Sequence, residues 1–328
     1  MRIGLYLDMR NPPQWRRPWA HHYARWLELV EEADRLGVDS VWLSEHHFFE
    51  DGYLSQPLTF AAAIAARTAH ARIGTAVLLP ALQRPAQLAE AAALVDVVSD
   101  GRLDLGVGVG YRKTEFEAFA ADRARRYDLV EARVREVRDL WASGRVVPGP
   151  VQDPLPWWGG FFGPRGAQLA GRLGMGLLAA LPELVPSYLA GLEEGGHPAS
   201  AARYAQPWNI VLADDPEAAW PRIKPHLAYS WDSYGRYLVE GTDLPLPPPV
   251  DPEQMRASGS GMGDSGAFFM VLTPTDAAEF LRGVVATIPL EETFFWASIA
   301  GMPEDLEERH VELVCCELLP LVADLATE

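Results

Sequence analysis

Residues 72–109, RIGTAVLLPALQRPAQLAEAAALVDVVSDGRLDLGVGV, decide the fold, because they hold two strand patterns with one helical pattern between them. Residues 72–79 and 103–109 are short apolar runs with β-branched residues, the pattern of buried strands. Between them Pro85–Val98 brings Leu88, Ala92, Val95 and Val98 to one helical face and carries a proline in its first turn. Two strands joined through a helix pair in parallel, with the crossover right-handed.

The same alternation extends in both directions. Upstream lie strand patterns at Arg2–Leu7 and Ser40–Leu43, separated by a helix whose Trp26, Leu29, Val30, Ala33 and Leu36 share a face and which Gly37 is placed to end. Residues 57–68 form the next helical pattern. Downstream, a long charged helix ends near Trp141, and residues 156–160, 175–180, 208–213 and 292–297 supply four more strand patterns, for eight in all. Eight strands separated by helices, with no composition break marking a linker, predict a single (β/α)₈ TIM barrel over residues 1–328 rather than an open doubly wound sheet. One interruption stands out. Residues 241–266, GTDLPLPPPVDPEQMRASGSGMGDSG, are too rich in Pro, Gly and Ser and too long for an ordinary barrel connection. They read as a mobile insertion, either a lid over the site or a surface loop.

Composition narrows the function. Among 328 residues 48% are hydrophobic and 22% charged, which describes a globular chain with a sizeable core. The net charge of −17 repels nucleic-acid phosphates and anionic lipid, so neither is an expected partner. No apolar run reaches a membrane span, and the opening MRIGLYLDM reads as a first strand without a cleavage signature, so a cytoplasmic location is expected. The two cysteines, Cys315 and Cys316, are adjacent in an apolar helical stretch, a spacing that offers no disulfide framework or zinc site.

In a barrel of this type function gathers at the carboxyl ends of the strands. The second strand runs into Ser44-Glu45-His46-His47-Phe48-Phe49. Neighbouring residues of an extended segment face opposite ways, so the two imidazoles do not share a metal, and no metal site is expected. One imidazole then faces the pocket as a hydrogen-bond donor or general acid/base; the alternative is a structural histidine pair capped by Glu45. On the fourth strand Gly106, Gly108 and Gly110 alternate before Tyr111. They either let a flat group approach the backbone or relieve crowding in the barrel, and they are not the GxGxxG of a nicotinamide site. After the fifth strand, Gly159-Gly160-Phe161-Phe162-Gly163-Pro164-Arg165-Gly166 feeds a helix amino terminus, a turn suited to phosphate. Arg123, Arg125 and Arg126 form a basic run that reads as a solvated face, with a phosphate contact as the alternative. Trp15, Trp19, Phe48, Phe49, Tyr53, Phe161, Phe162, Trp231 and Tyr234 lie in or near upper loops and are candidates for an apolar pocket wall or for core.

These segments resemble the bacterial luciferase-like flavin monooxygenase family. The likeness is carried by VDSVWLSEHHF (38–48), by residues 73–111 and by the glycine turn near Gly160, and more loosely by LAYSWDSYGRYL (227–238) and MVLTPTDAAEFL (270–281). It implies a barrel that binds FMN at its carboxyl face, with His46 matching the catalytic histidine. Ala76-Val77 falls where luciferases place a non-proline cis peptide beneath the isoalloxazine, and Gly163, Arg165 and Gly166 fall in the phosphate-binding turn. Glu45, Gly108, Tyr111 and Gly160 complete the expected cofactor contacts, and Phe48, Phe161 and Trp231 the substrate pocket. Luciferases carry a cysteine followed by an arginine on the fourth strand; here Gly108 and Val109 stand there, so neither side chain is carried over.

The function implied is an FMN-dependent monooxygenase that uses reduced flavin and O₂, through a flavin hydroperoxide, on a small organic substrate, aromatic or polycyclic ones included. A separate flavin reductase supplies the reduced cofactor, since no nicotinamide fingerprint is present. Alternatives on the same barrel are a deazaflavin-dependent reductase or dehydrogenase and a non-catalytic flavin-binding protein. A homodimer or higher homo-oligomer is expected from the family.

Overall fold

Side chains that alternate along the strands divide the molecule into an aromatic interior and an aliphatic layer under the helices. In the computed structural model, which describes residues 1–257 and 269–325, the strands are β1 (Arg2–Leu7), β2 (Ser40–Leu43), β3 (Arg72–Thr75), β4 (Leu103–Val107), β5 (Trp157–Gly159), β6 (Gly176–Leu177), β7 (Ala205–Trp208), β8 (Ile210–Leu212), β9 (Met270–Leu272) and β10 (Glu292–Trp296). The helices are α1 (Trp19–Arg35), α2 (Pro57–Ala65), α3 (Pro85–Val98), α4 (Lys113–Ala118), α5 (Arg126–Ala142), α6 (Pro164–Arg172), α7 (Val185–Glu194), α8 (Pro216–Val239), α9 (Pro252–Ala257), α10 (Pro274–Val285) and α11 (Glu304–Glu312).

Eight strands make one parallel sheet in the order β6-β5-β4-β3-β2-β1-β10-β7. Its two edges meet where Leu177 bridges Tyr204 and its N–H donates to the Arg203 carbonyl at 2.8 Å, which brings the barrel to near closure. Tyr6, Trp42, Trp158, Leu178, Ala205 and Phe294 point inward and pack together, with Trp42 and Phe294 stacked at 4.8 Å. Their neighbours Ile3, Leu5, Leu7, Val41, Leu43, Leu105 and Val107 point outward to the helices. Gly74 and Gly176 make this filling possible, since a Cβ on either would lie 2.3 Å from the indole of Trp42 or Trp158. Polar groups close the floor: Glu292 accepts from Arg2 at 2.5 Å, from Trp42 at 3.2 Å and from Ser40, and Asp104 accepts from Arg72 at 2.5 Å and Trp158 at 3.1 Å.

The seventh barrel strand differs from the sequence expectation. Residues 208–213 were the expected element, but β7 enters the barrel at residues 205–208, and Ile210–Leu212 leaves it to pair with β9 in a separate two-stranded parallel sheet. Pro207 interrupts the apolar alternation of β7 and hides it from a periodicity reading, whereas Ile210–Leu212 is continuously apolar because both of its faces are covered. Of the insertion, residues 258–266 lie outside the described residues. Its earlier part runs along α8, where the Val250 N–H donates to Asp232 at 2.7 Å and Glu253 accepts from Trp220 at 2.9 Å.

Beyond β10, Glu307 is 2% exposed and accepts from Ser298 at 2.6 Å, with Arg17 3.5 Å away. Burial dominates over these partners and pushes its carboxyl up from 4.5 to about 7. Between those two values the native state binds more protons than the unfolded chain, so this group's contribution is full at low pH and is lost as pH rises to 7. Wild-type protein is expected to lose roughly 2 kcal/mol more than Glu307→Gln between about pH 5 and pH 7.5. Urea melts at both pH values measure the difference, and parallel losses in the two proteins contradict it.

Candidate active site at the carboxyl end of the barrel

Strand alternation sorts the two histidines. Beyond β2, Ser44 and His46 continue the inner face of Ser40 and Trp42, while Glu45 and His47 continue the outer face. The His46 ring stands at the mouth among the rings of Tyr53 at 4.6 Å, Phe49 at 5.0 Å, Tyr111 at 5.7 Å and Tyr234 at 6.1 Å. Its side chain keeps 14% exposure, so a reactant can reach it while most of its surface is dry. His47 is paired outside with Glu45 at 3.0 Å. Glu45, an expected cofactor contact, also accepts from the Leu79 N–H at 2.7 Å and from Gln83 at 3.0 Å, so both its oxygens are engaged by the protein.

Behind His46 sits a buried charge network that no sequence motif announced. Glu115, on α4, is fully buried, and its Oε1 lies 3.5 Å from His46 Nδ1, accepts from the His47 N–H at 2.9 Å and takes a contact from Arg112 at 3.3 Å. Desolvation raises the Glu115 carboxyl, but His46, the His47 N–H and Arg112 together hold it below the ordinary carboxylate range. Arg112 is 1% exposed, lies over the rings of Phe49 and Tyr237 at 4.6 and 4.4 Å, and donates to the His47 carbonyl and to Glu240 at the end of α8. The buried Nδ1 side of the imidazole thus faces the Glu115 carboxylate at ion-pair distance.

The Ala76-Val77 peptide is cis, at the position the resemblance implies. Val77 fills the space at two of the expected glycines: a Cβ on Gly108 or Gly160 would lie 2.4 Å from its methyl groups. A Cβ on Gly106 would lie 1.8 Å from the Thr75 carbonyl oxygen, so these glycines answer to crowding inside the barrel. Tyr111 reaches the mouth with its hydroxyl buried and without a hydrogen-bond partner among the described residues. At the turn before α6, Gly163 has φ +133° and faces open space, and its carbonyl accepts from the N–H groups of Gly166 and Ala167. Arg165 is exposed at the same turn, over the Tyr127 ring at 4.3 Å and 3.3 Å from Asp128.

Two expected pocket residues are placed elsewhere. Phe48 adopts φ +60°, which breaks the alternation, and its ring is 66% exposed beside Phe119 on the outer side, while Phe49 turns in toward His46. Phe161 is buried in the core, where Gly159 and Gly166 make room for its ring, and Phe162 is exposed instead. Trp231 is half-buried, 5.6 Å from the Tyr234 ring and packed against the cluster around Val211 and Phe269. Sequence reasoning gave no role to Tyr6, Arg10 and Asp51, and left Tyr53 and Tyr234 as unplaced aromatics. Tyr6 looks like one more strand residue, and only the closure of α8 over the mouth brings Tyr234 to Tyr53.

On the outer face, a cavity of about 900 Å³ lies between α2, α3 and the turn before α5, with His47 and Glu45 at its inner wall and Leu94 and Phe119 at its rim. Among the described residues no group of His, Cys, Asp and Glu side chains is placed to hold a metal ion, and no helix is long and apolar enough to cross a membrane.

Comparison with known proteins gives a consistent result. Residues 1–267 match the model of the luciferase-like monooxygenase family. An F420-dependent glucose-6-phosphate dehydrogenase of Amycolatopsis mediterranei is 31% identical over 172 residues, 46% of this chain and 52% of that protein. The oxygenase component of a flavin-dependent trigonelline monooxygenase of Acinetobacter baylyi is 32% identical over 171 residues, 48% of this chain and 47% of that protein. The chain thus matches about half the length of these curated relatives. The crystal structure of monooxygenase RslO1 from Streptomyces bottropensis superimposes with a TM-score of 0.80 at 25% identity, over 98% of this chain and 99% of that one.

Proposed function

The chain belongs to the luciferase-like monooxygenase family, and from that premise we propose that it is an FMN-dependent monooxygenase acting on a small organic substrate. The observation that carries the reading is the His46 imidazole, backed by buried Glu115 and enclosed by four aromatic rings at the barrel mouth. The 25% identity to a monooxygenase over 98% of the chain supports oxygenation.

The residues present fit the cofactor. The unpartnered Tyr111 hydroxyl supplies a polar contact, the Val77 side chain packed on Gly108 and Gly160 offers a floor for the isoalloxazine, and the open turn at Gly163, with Gly166 and Arg165 beside it, takes the phosphate at the α6 amino terminus. Reduced FMN, when bound, supplies the electrons that activate O₂, so that one oxygen atom goes to the substrate and the other leaves as water. His46 holds or moves a proton at Nε2, with Nδ1 turned to Glu115. The rings of Phe49, Tyr53, Tyr111 and Tyr234 exclude water around it. A separate flavin reductase supplies the reduced cofactor. A second copy of the chain covers the outer cavity, at whose rim Leu94 and Phe119 leave 54 and 40% of their surface exposed.

An absorbance titration with FMN and with a deazaflavin coenzyme, followed by oxygen uptake with the reduced forms under air, tests this. FMN binding with substrate-dependent oxygen consumption is the expected result. The dehydrogenase among the relatives supports a second reading, hydride transfer with deazaflavin, which predicts deazaflavin binding without oxygen uptake. Tight FMN binding with no turnover on any substrate identifies a flavin-binding protein.

A further inference from the structure

Three tyrosine hydroxyls form a row at the mouth. Tyr6 and Tyr53 share a hydrogen bond at 2.8 Å, and Tyr53 and Tyr234 share one at 2.6 Å. Tyr6 and Tyr53 are 8% and 2% exposed, while Tyr234, on α8, is half-buried and forms the outer end beside Trp231 and His46. We propose that this row is the substrate-orienting device of the site, and that it selects a planar aromatic substrate presenting a phenolate or carbonyl oxygen to the Tyr234 hydroxyl.

The proton count carries the argument. Each hydroxyl has one proton to donate, and the two internal bonds use two of the three. Burial pushes Tyr6 up to about 12 and Tyr53 and Tyr234 well above their ordinary value, so all three protons stay in place at working pH. One donor is therefore left over. At the inner end Ser44, buried and without a hydrogen-bond partner among the described residues, sits beside Tyr6 and favours negative charge on its oxygen. Turned toward Tyr6, that unused serine proton directs the row outward, from Tyr6 to Tyr53 to Tyr234, and leaves the spare proton at the mouth.

A buried ion pair stands behind the row. Arg10 is 1% exposed, with its guanidinium 5.1 Å from the Tyr53 ring centre and 5.4 Å from that of Tyr234. It is fixed by Asp51 at 2.7 Å and Ser230 at 3.0 Å, and Asp51 also accepts from Tyr229 at 3.1 Å. Asp51 balances the Arg10 charge and Asp8 accepts from the Arg10 backbone N–H at 3.1 Å, so the preference for an anionic or strongly accepting oxygen comes from the spare hydroxyl donor, and Arg10 serves to hold the Tyr53 and Tyr234 rings. Trp231 and Tyr111 supply flat apolar faces for the ring that bears that oxygen, and the oxygen's anchor at Tyr234 keeps the ring beside His46. The assignment deepens the oxygenase reading and rests on it for the identity of the pocket as a substrate site.

The test uses 4-nitrophenol and nitrobenzene, which share a ring and differ in one oxygen, on full-length protein with and without FMN. Wild-type protein is expected to bind 4-nitrophenol more tightly than nitrobenzene and to ionise it at a lower pH than water does. Tyr234→Phe, which removes one oxygen atom, is expected to weaken 4-nitrophenol binding about tenfold or more, as for a hydrogen bond to a charged group, and to leave nitrobenzene within about twofold. Tyr53→Phe cuts the row behind the donor and produces a smaller loss of the same selective kind. Equal affinity of wild-type protein for the two probes overturns the proposal without recourse to any variant. So does an equal loss of both probes in Tyr234→Phe, which marks a structural role, or no loss of either. Intact FMN binding with no oxygen selectivity defeats the tyrosine row alone; oxygen selectivity without FMN binding defeats the cofactor reading alone.

Discussion

His46→Ala is expected to cut substrate-dependent oxygenation by about a hundredfold or more, the upper range for a positioned acid/base group, while FMN affinity stays within about threefold of wild type. The two effects separate because, in the proposed reading, the imidazole touches the reacting region and the flavin contacts lie on other strands. Stopped-flow absorbance of FMN-loaded reduced protein mixed with air supplies a second readout. The variant's flavin is expected to return to its oxidised spectrum at least about tenfold sooner, releasing hydrogen peroxide instead of product, because a polar contact and part of the water-excluding ring are gone. Unchanged turnover removes His46 from the chemistry. A fall in FMN affinity that matches the fall in turnover makes it a binding residue instead.

Arg112→Met has the largest expected effect on stability. The guanidinium is 1% exposed and joins the His47 carbonyl, Glu115 and Glu240, so its removal strands the fully buried Glu115 carboxylate and unties the end of α8. Breaking a buried pair from one side costs about 3–5 kcal/mol, and a loss of about 3 kcal/mol or more in urea unfolding is expected. Arg112→Lys is expected to recover less than half of it, because one ammonium cannot span the three oxygens that the planar fork reaches. Adding Glu115→Gln to Arg112→Met should restore part of the stability, since the stranded charge is then gone. A cost under about 1 kcal/mol for Arg112→Met, or no recovery in the double variant, shows that the network contributes little.

The candidate site was legible in part. Period-two alternation along one strand showed that the two imidazoles face opposite ways, and the family resemblance picked His46 as the inner one; the separation holds because the segment stays extended through residue 47. It fails one residue later, where the positive φ of Phe48 turns its ring outward and admits Phe49 instead. Phe161 failed for a related reason: two adjacent phenylalanines look alike in sequence, and only the space above Gly159 and Gly166 decides which is buried. Glu115 and Arg112 carried no signal because charged residues at the start of a helix are ordinarily solvated.

Seven of the eight barrel strands, their parallel pairing and the barrel end that carries the candidate site were already present in the one-dimensional pattern, because hydrophobic period and turn chemistry act between near neighbours and can be read there. The near-closed barrel, the exchange of residues 208–213 for 205–208 as the seventh strand, the burial of Glu115 behind His46 and the meeting of Tyr6, Tyr53 and Tyr234 were settled by packing. Tyr6 and Tyr234 stand 228 positions apart, and no local preference links them. Their shared neighbour Tyr53 joins them because a barrel brings the ends of distant strands to one opening, and a helix from the other half of the chain lies across it.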